Sequence, residues 1–145
     1  MSLRQPFASL IIAGVKLYEG RSWRPATLGP IVIHASAAQH EMAYEYPVLR
    51  ALDRAGLDLD DLPRSQIIGV VNVVEVVDGT IAMRTVPKKH RLLVDPMDGD
   101  TSGTWLWRMA NPLVVPPVVV KGALNLWRVP EAIVRRINKA VAEQA

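Results

Sequence analysis

The 145-residue sequence contains no cysteine. The chain therefore has no disulfide framework, no thiolate metal site and no cysteine nucleophile. Long apolar runs are missing as well, because no stretch approaches the roughly 18–20 residues needed to cross a bilayer. The N-terminus shows no charged segment followed by a long apolar core, which is the pattern of a secretory signal. From these absences we expect a cytoplasmic protein with no membrane partner.

The common motifs of catalysis and cofactor binding are absent too. The sequence has no glycine-rich phosphate loop, no dinucleotide fingerprint, no HExxH and no Gly-x-Ser-x-Gly. The three histidines, His34, His40 and His90, do not have the spacing of metal ligands. We therefore expect neither a bound metal nor a cofactor.

The composition is that of a folded protein with a mildly basic surface. Half of the residues are apolar and 21% are charged, so the chain can bury a core. Its length fits one domain over residues 1–145. The net charge is +3, and the excess of lysine and arginine lies in "RTVPKKHR" and in the last helix. Local basic patches are compatible with a polyanionic partner, whereas the oligomeric state stays open.

Hydrophobic periodicity predicts strands and short helices in irregular order. The predicted strands cover residues 15–23, 31–35, 67–77, 104–110 and 118–122. The predicted helices cover residues 6–13, 36–55 with a break near Pro47, and 130–142. Ser36 and Gln39 have the spacing of a capping box, so Ser36 is expected to open the second helix. The order favours a small α+β fold built on a curled sheet or barrel.

Glu75 is a lone carboxylate in the most apolar predicted strand, "IIGVVNVVEVV". An ionised carboxylate inside such a strand is costly unless it meets a cation or hydrogen-bond donors. Two interpretations are open. Glu75 either points outward at a strand edge, or lines a cavity beside a cation, in which case Lys16 is the candidate partner.

Cations surround a single carboxylate in the stretch "GVKLYEGRSWR". Alternation along a strand predicts Glu19, Arg21 and Trp23 on one face and Lys16 on the other. The stretch is either the solvated rim of an edge strand or the floor of a site. Trp23 lies between arginines, which makes it the candidate among the four tryptophans to stack on a nucleic-acid base.

His34 and Ser36 are polar residues at the predicted strand 31–35. A lone strand histidine is more often a hydrogen-bonded structural residue than a catalytic group. Ser36 suits a helix cap better than a nucleophile. His34 and Ser36 are both candidate ligand contacts.

An ordered set of motifs resembles the ASCH domain, a family within the PUA-like superfamily. "SLRQPFASLIIAG" leads into "GVKLYEGRSW". The latter is similar to the family signature Gly-x-Lys-x-x-[Thr/Glu]-x-Arg, here at Gly14, Lys16, Glu19 and Arg21. "GPIVIHAS", "IIGVVNVVEVV" and "WRMANPLVVPPVVVKGALNLWRV" follow. Residues 78–103 lie outside the resemblance.

The resemblance implies a small mixed β-barrel with flanking helices, and a cleft that binds RNA, a nucleoside or a nucleotide. One branch of the family hydrolyses the acetyl amide of N4-acetylcytidine through a signature lysine, a signature threonine and a strand glutamate. The corresponding candidate catalytic residues are Lys16, Glu19 and Glu75, so that Glu19 replaces the hydroxyl. The residues expected to contact nucleic acid are Arg4, Gln5, Arg21, Trp23, His34, Ser36 and Lys121.

Three functions are compatible with these residues. The first is RNA binding, with a metal-independent ribonuclease activity that uses a base for the 2′-hydroxyl and a cation at the phosphorane. The second is amide hydrolysis of a modified nucleoside such as N4-acetylcytidine. The third is a binding module without chemistry, in which the cluster of cations and carboxylate only recognises a ligand.

Overall fold

The computed structural model describes residues 1–123 and 125–144. The strands in these ranges are β1 (Ser2–Gln5), β2 (Tyr18–Arg21), β3 (Gly29–Gln39), β4 (Gln66–Asp78) and β5 (Trp105–Val119). The helices are α1 (Phe7–Ile12), α2 (Tyr46–Ala55), α3 (Gly79–Thr85), α4 (Lys88–Arg91) and α5 (Glu131–Glu143), with a 3₁₀ turn at Leu59–Asp61. The predicted α+β class is confirmed. No helix of the described ranges is long and apolar enough to span a membrane.

The strands form one sheet in the order β1-β3-β4-β5-β2. β1 pairs parallel with β3, and the other neighbours are antiparallel. Three register shifts interrupt the long β4–β5 pairing, and such irregularities bend strands and increase their twist. The sheet curls until Nη2 of Arg21, on one edge strand, lies 3.4 Å from the carbonyl oxygen of Ser2 on the other. Because no pairing joins β1 to β2 within the described residues, the sheet is curled but open, not a closed barrel.

Two apolar clusters hold α1 against the sheet. One contains Ile33 and Trp107 of the sheet together with Ile11 of α1. The other packs Leu10 of α1 against α2, including Leu52. α1 is therefore held on both sides. Its packing also fixes the start of the segment between α1 and β2.

Local sequence signals predicted the ends of two helices correctly. α1 ends before Gly14, which has φ +77°, and α2 ends at Gly56, with φ +67°. Glycine adopts this left-handed conformation without a steric penalty. The predicted C-terminal helix is confirmed as α5.

The predicted helix start at Ser36 is wrong. Ser36 lies within β3, and α2 begins only at Tyr46. The reason is that β3 pairs with β1, and β1 was not among the predicted strands. Its register reaches from His34 to Gln39 and keeps the chain extended through the capping-box sequence.

Candidate functional site

A cleft of about 700 Å³ is lined by β1, β2 and the end of β3. Residues 121–123 and 125, which follow β5 and are called the strap below, form a further part of its wall. The volume lies within the usual range of small-ligand sites, about 300–1,000 Å³. The cleft is thus large enough for a compact organic ligand.

Lys16, Glu19 and Arg21 form an ion cluster in this cleft. Glu19 Oε1 lies 3.5 Å from Lys16 Nζ, and Glu19 Oε2 accepts a hydrogen bond of 3.1 Å from Arg21 Nη2. The exposed fraction of the side chains rises from 1% for Lys16 through 12% for Glu19 to 23% for Arg21. Lys16 is therefore deepest in the cluster, and Arg21 presents the most surface to a ligand.

The surroundings of Lys16 lower its pKa. Burial is the largest cause, and the nearby Arg21 lowers the pKa further, while Glu19 raises it through its charge and a hydrogen bond. Lys16 Nζ also donates to the carbonyl oxygen of Leu93 and lies 4.9 Å from the centre of the Phe7 ring. A buried lysine of lowered pKa can give or take a proton more readily than a solvated one.

The turn between α1 and β2 brings Lys16 onto the same side as Glu19. The backbone N–H of Lys16 donates to Leu10 O over 3.0 Å, which continues the helix end as a turn. β2 itself covers only Tyr18–Arg21, so strand alternation does not apply to Lys16. The prediction that Lys16 lies on the opposite face from Glu19 is therefore wrong.

Residues 78–103, in which the sequence showed no family motif, complete the cleft. Leu93 supplies the carbonyl acceptor for Lys16, and Val94 lines the cavity. A Cβ on Gly20 would lie only 2.7 Å from Val94 Cγ1. Glycine at position 20 therefore allows this segment to approach β2 closely.

Exposed cations lie at the mouth of the cleft. Arg4 of β1 and Lys121 of the strap both line it and are both exposed. Ser36 of β3 lines it too and is half-buried. Together with Arg21, these residues make the opening cationic and able to donate hydrogen bonds.

His40 also lines the cleft, although no sequence pattern singled it out as a site residue. Its Nδ1 accepts a hydrogen bond of 3.1 Å from the backbone N–H of Met42, and its ring meets Phe7 edge-on at 4.8 Å. Burial lowers the pKa of His40, and the charges of Arg4 and Lys16 lower it further, against the opposing effect of Glu41 and Glu19. His40 is thus favoured in its neutral form.

A hydrogen-bond relay anchors Val120 and Trp127, on either side of the strap, to the sheet. His34 Nε2 lies 2.6 Å from Val120 O, and because a carbonyl only accepts, Nε2 carries the proton. In neutral His34, Nδ1 then accepts from the Ser2 hydroxyl at 3.0 Å, and Ser2 Oγ accepts from Trp127 Nε1 at 3.1 Å. His34, predicted as a ligand contact, therefore lines the cleft and also holds its wall.

The strap fits closely against this relay at Gly122. A Cβ there would lie 2.3 Å from Ser2 Oγ and 2.6 Å from His34 Nδ1. Asn125 in the strap has φ +59°, and Ser65, whose carbonyl accepts from the N–H of Val120, has φ +55°; both residues line the cleft. Such left-handed conformations in residues other than glycine are uncommon and cluster at functional sites.

Three predicted site residues lie elsewhere. Glu75 is exposed and pairs with Arg108 at 2.8 Å, so the predicted pairing with Lys16 is wrong and the outward orientation is correct. Trp23 packs edge-on against Trp107, 4.9 Å between ring centres, as part of the core edge and not of the cleft lining. Gln5 is fully buried and hydrogen-bonded within the fold, including to Pro63 O at 2.9 Å.

Among residues 1–123 and 125–144, no group of three or more histidine or acidic side chains is placed to hold a metal ion.

Comparison with known proteins identifies the family. The family model of the ASCH domain matches residues 1–118. This chain belongs to the ASCH-domain family. The ASCH domain is a PUA-like domain that generally binds RNA, which agrees with the cationic opening described above.

The chain is also similar to two curated full-length proteins. It is 24% identical to activating signal cointegrator 1 of Homo sapiens over 154 aligned positions, and 24% identical to the Mus musculus protein over 153. The alignments cover 99% of this chain and 24% of each relative. This ASCH domain thus spans about a quarter of the length of the curated relatives it matches.

Proposed function

We propose that this ASCH domain binds single-stranded RNA by taking one unpaired nucleotide into the cleft. The observation that carries the proposal is the cluster of Lys16, Glu19 and Arg21 inside a cavity of about 700 Å³. Proteins read RNA sequence mainly in single-stranded segments, whose bases can be turned out into such cavities.

The cations at the opening would hold the RNA backbone. Arg4, Arg21 and Lys121 line the cleft and have exposed surface. Arginine and lysine bind phosphate oxygens through charge-assisted hydrogen bonds. In this arrangement Arg4 and Lys121 contact phosphates, and Arg21 links the phosphate region to the carboxylate of Glu19.

Deeper polar groups would contact the base and ribose. Ser36 and His40 line the cavity with a hydroxyl and a neutral imidazole, which can donate and accept hydrogen bonds. Glu19 is held by two cations, so its position inside the cleft is fixed. A fixed carboxylate favours a ligand that offers N–H or O–H donors, as nucleobases and ribose do.

The salt dependence of binding tests this proposal. Each phosphate neutralised on a single strand contributes about −0.7 to the slope of log affinity against log salt. We expect the double variant Arg4→Gln/Lys121→Gln to bind single-stranded RNA more weakly, with a slope shallower by roughly 1.4. The double variant Arg136→Gln/Lys139→Gln, on α5 outside the cleft, removes the same charge and should bind as the wild type does. Equal slopes for all three proteins would contradict the proposal.

Hydrolysis at the same cleft is a second candidate function. It is favoured by the contact between Lys16, whose pKa is lowered, and Glu19. A neutral lysine could take a proton from a ribose 2′-hydroxyl for RNA cleavage, or from a water that attacks the amide of N4-acetylcytidine. Glu75 is exposed, pairs with Arg108 and does not line the cleft, so it takes no part in the proposed step.

Product formation tests the second candidate. Purified protein is incubated with single-stranded RNA and, separately, with N4-acetylcytidine. Hydrolysis predicts shortened RNA or free cytidine, and loss of that product in Lys16→Met, a variant expected to stay folded. No product from either substrate would reject hydrolysis and leave a binding module. Equal product formation by Lys16→Met would reject the assigned role of Lys16.

A further inference from the structure

The outer surface of α2 carries a row of aromatic and cationic side chains. Tyr46, Arg50 and Arg54 are four residues apart and therefore share one face of the helix. All three are exposed, and the Arg50 guanidinium lies 5.6 Å from the centre of the Tyr46 ring. With a rise of 1.5 Å per residue, the row is about 12 Å long.

Both ends of this row are extended by neighbouring residues. Tyr44 precedes it in the turn before α2 and has 66% of its surface exposed, against 70% for Tyr46. At the other end, Leu93, which follows α4, packs in one cluster with Leu52 of α2, so α4 and its exposed Lys89 lie near α2. Burial lowers the pKa of the neighbouring His90, and the charges of Lys89 and Arg54 lower it further. We refer to Tyr44, Tyr46, Arg50, Arg54 and Lys89 as the track.

The track is connected to the cleft on both sides. His40 lines the cleft, and its carbonyl accepts from the N–H of Ala43, directly before Tyr44. On the α4 side, the N–H of Val94, another cleft residue, donates to the carbonyl of Arg91 over 2.9 Å. Elements that form the cleft wall therefore continue outward into the track.

The side chains of the track are available to a ligand. Among the described residues, none of its three cations makes an ion pair, whereas the four ion pairs present involve other cations. The same stretch of chain carries two carboxylates, Glu45 and Asp53, and the three cations of the track outnumber them. Large exposed aromatic side chains without a packing role are typical of binding surfaces.

We infer that the track holds the nucleotides that flank the one in the cleft, with bases stacked on Tyr44 and Tyr46 and phosphates at Arg50, Arg54 and Lys89. The inference rests on the proposed RNA binding and extends it: the ligand is a polynucleotide strand, not a free nucleoside. A cationic surface combined with aromatic side chains is the usual means of holding single strands, since every base has a face that can stack.

Two pairs of matched variants separate stacking from charge. Tyr44→Ala/Tyr46→Ala removes the rings, whereas Tyr44→Phe/Tyr46→Phe keeps them. Arg50→Gln/Arg54→Gln/Lys89→Gln removes three charges from the track, and Arg135→Gln/Arg136→Gln/Lys139→Gln removes three from α5. All these residues are exposed, so thermal unfolding should confirm that every variant stays folded.

Affinity is measured by fluorescence anisotropy for labelled RNA of about eight nucleotides, a length within the range of single-strand sites, and by competition for a ribonucleoside monophosphate. We expect the double alanine variant to bind the longer RNA at least about thirtyfold more weakly, while the phenylalanine variant binds as the wild type does. The track charge variant should show a salt slope shallower by roughly 2, with no such change in the α5 variant. Mononucleotide binding should be unchanged throughout.

The outcomes distinguish the track from the cleft. Unchanged affinity of both track variants for the longer RNA, with weaker binding by Arg21→Gln, overturns the track and retains the proposed function. The track is also overturned if its variants lose affinity for the mononucleotide and for the longer RNA equally. In that case the substitutions would change the cleft itself and would not remove contacts to flanking nucleotides. A wild-type protein that binds neither ligand overturns both.

Discussion

Replacing Glu19 with Gln should lower the free energy of unfolding by about 3 kcal/mol, because removal of one partner from a buried ion pair leaves an uncompensated charge. Lys16 has only 1% of its side chain exposed, and Glu19 is its carboxylate partner at 3.5 Å. Arg21 loses its carboxylate partner in the same variant. The measurement is urea denaturation followed by circular dichroism, in which the midpoint should fall at an unchanged slope.

The variant Lys16→Met is the matched control. Methionine fills a similar volume with an apolar chain, and Glu19 keeps its hydrogen bond to Arg21 at 3.1 Å. Exchange of a buried charge for an apolar side chain is often neutral or stabilising, so stability should stay within about 1 kcal/mol of the wild type. A Glu19→Gln variant as stable as Lys16→Met would show that the cluster is not a buried, mutually dependent set of charges.

The difference in stability between the wild type and Lys16→Met should depend on pH. The pKa of Lys16 is lowered from its ordinary value of 10.5, mainly by burial. Between the folded-state pKa and 10.5 the unfolded chain binds more protons, so the free energy of unfolding rises with pH in that window. The rise should appear in the difference between wild type and Lys16→Met, which removes the contribution of other titrating groups. A flat difference would contradict a lowered pKa.

Replacing Arg21 with Gln should weaken binding of single-stranded RNA by about ten- to a hundredfold, since a hydrogen bond to a charged group contributes about 1.5–3 kcal/mol. Arg21 is the most exposed member of the cluster and lines the cleft. Its Nη2 also contacts the carbonyl of Ser2 on the opposite edge strand, at 3.4 Å. Loss of the guanidinium removes a ligand contact and a link across the cleft together.

Two further variants make this result specific. Arg21→Lys keeps the charge but lacks the planar fork that reaches two acceptors, so we expect only partial recovery of binding. Arg108→Gln removes an arginine that is also paired with a glutamate, Glu75, but lies outside the cleft lining. It should bind RNA as the wild type does. Equal losses for Arg21→Gln and Arg108→Gln would indicate an effect of net charge alone.

Much of the fold follows from local sequence patterns. β4 is a long β-branched run, and its predicted range of 67–77 differs from the observed strand, Gln66–Asp78, by one residue at each end. Gly14 and Gly56 mark the ends of α1 and α2 because they adopt left-handed backbone conformations there. Signals of this kind depend only on nearby residues, so they can be detected without knowledge of the tertiary structure.

Glu75 shows where such patterns are insufficient. The β4 sequence is apolar on both faces, so it does not specify which face lines a cavity. A register shift between Val73 and Glu75 then alters the pairing with β5 directly before Glu75. The result is an exposed pair with Arg108, a residue 33 positions away in the sequence.

The cleft was only partly predictable for a related reason. Lys16, Glu19 and Arg21 are close in sequence, and the family signature groups them. Their other partners are distant: Leu93 is 77 residues from Lys16, and Val120 is 86 residues from His34. No local pattern encodes these long-range contacts, which complete the wall of the cleft.

The most direct test of the account maps the RNA contact itself by nuclear magnetic resonance. Single-stranded RNA is titrated into ¹⁵N-labelled protein, and the shifts of backbone amides are followed residue by residue. If a nucleotide enters the cleft, the largest changes occur at Gly20, Arg21, Ala37 and Gly122, with little change on α5. Saturable changes concentrated on α5 and the outer face of β5, with the cleft amides unmoved, would contradict it.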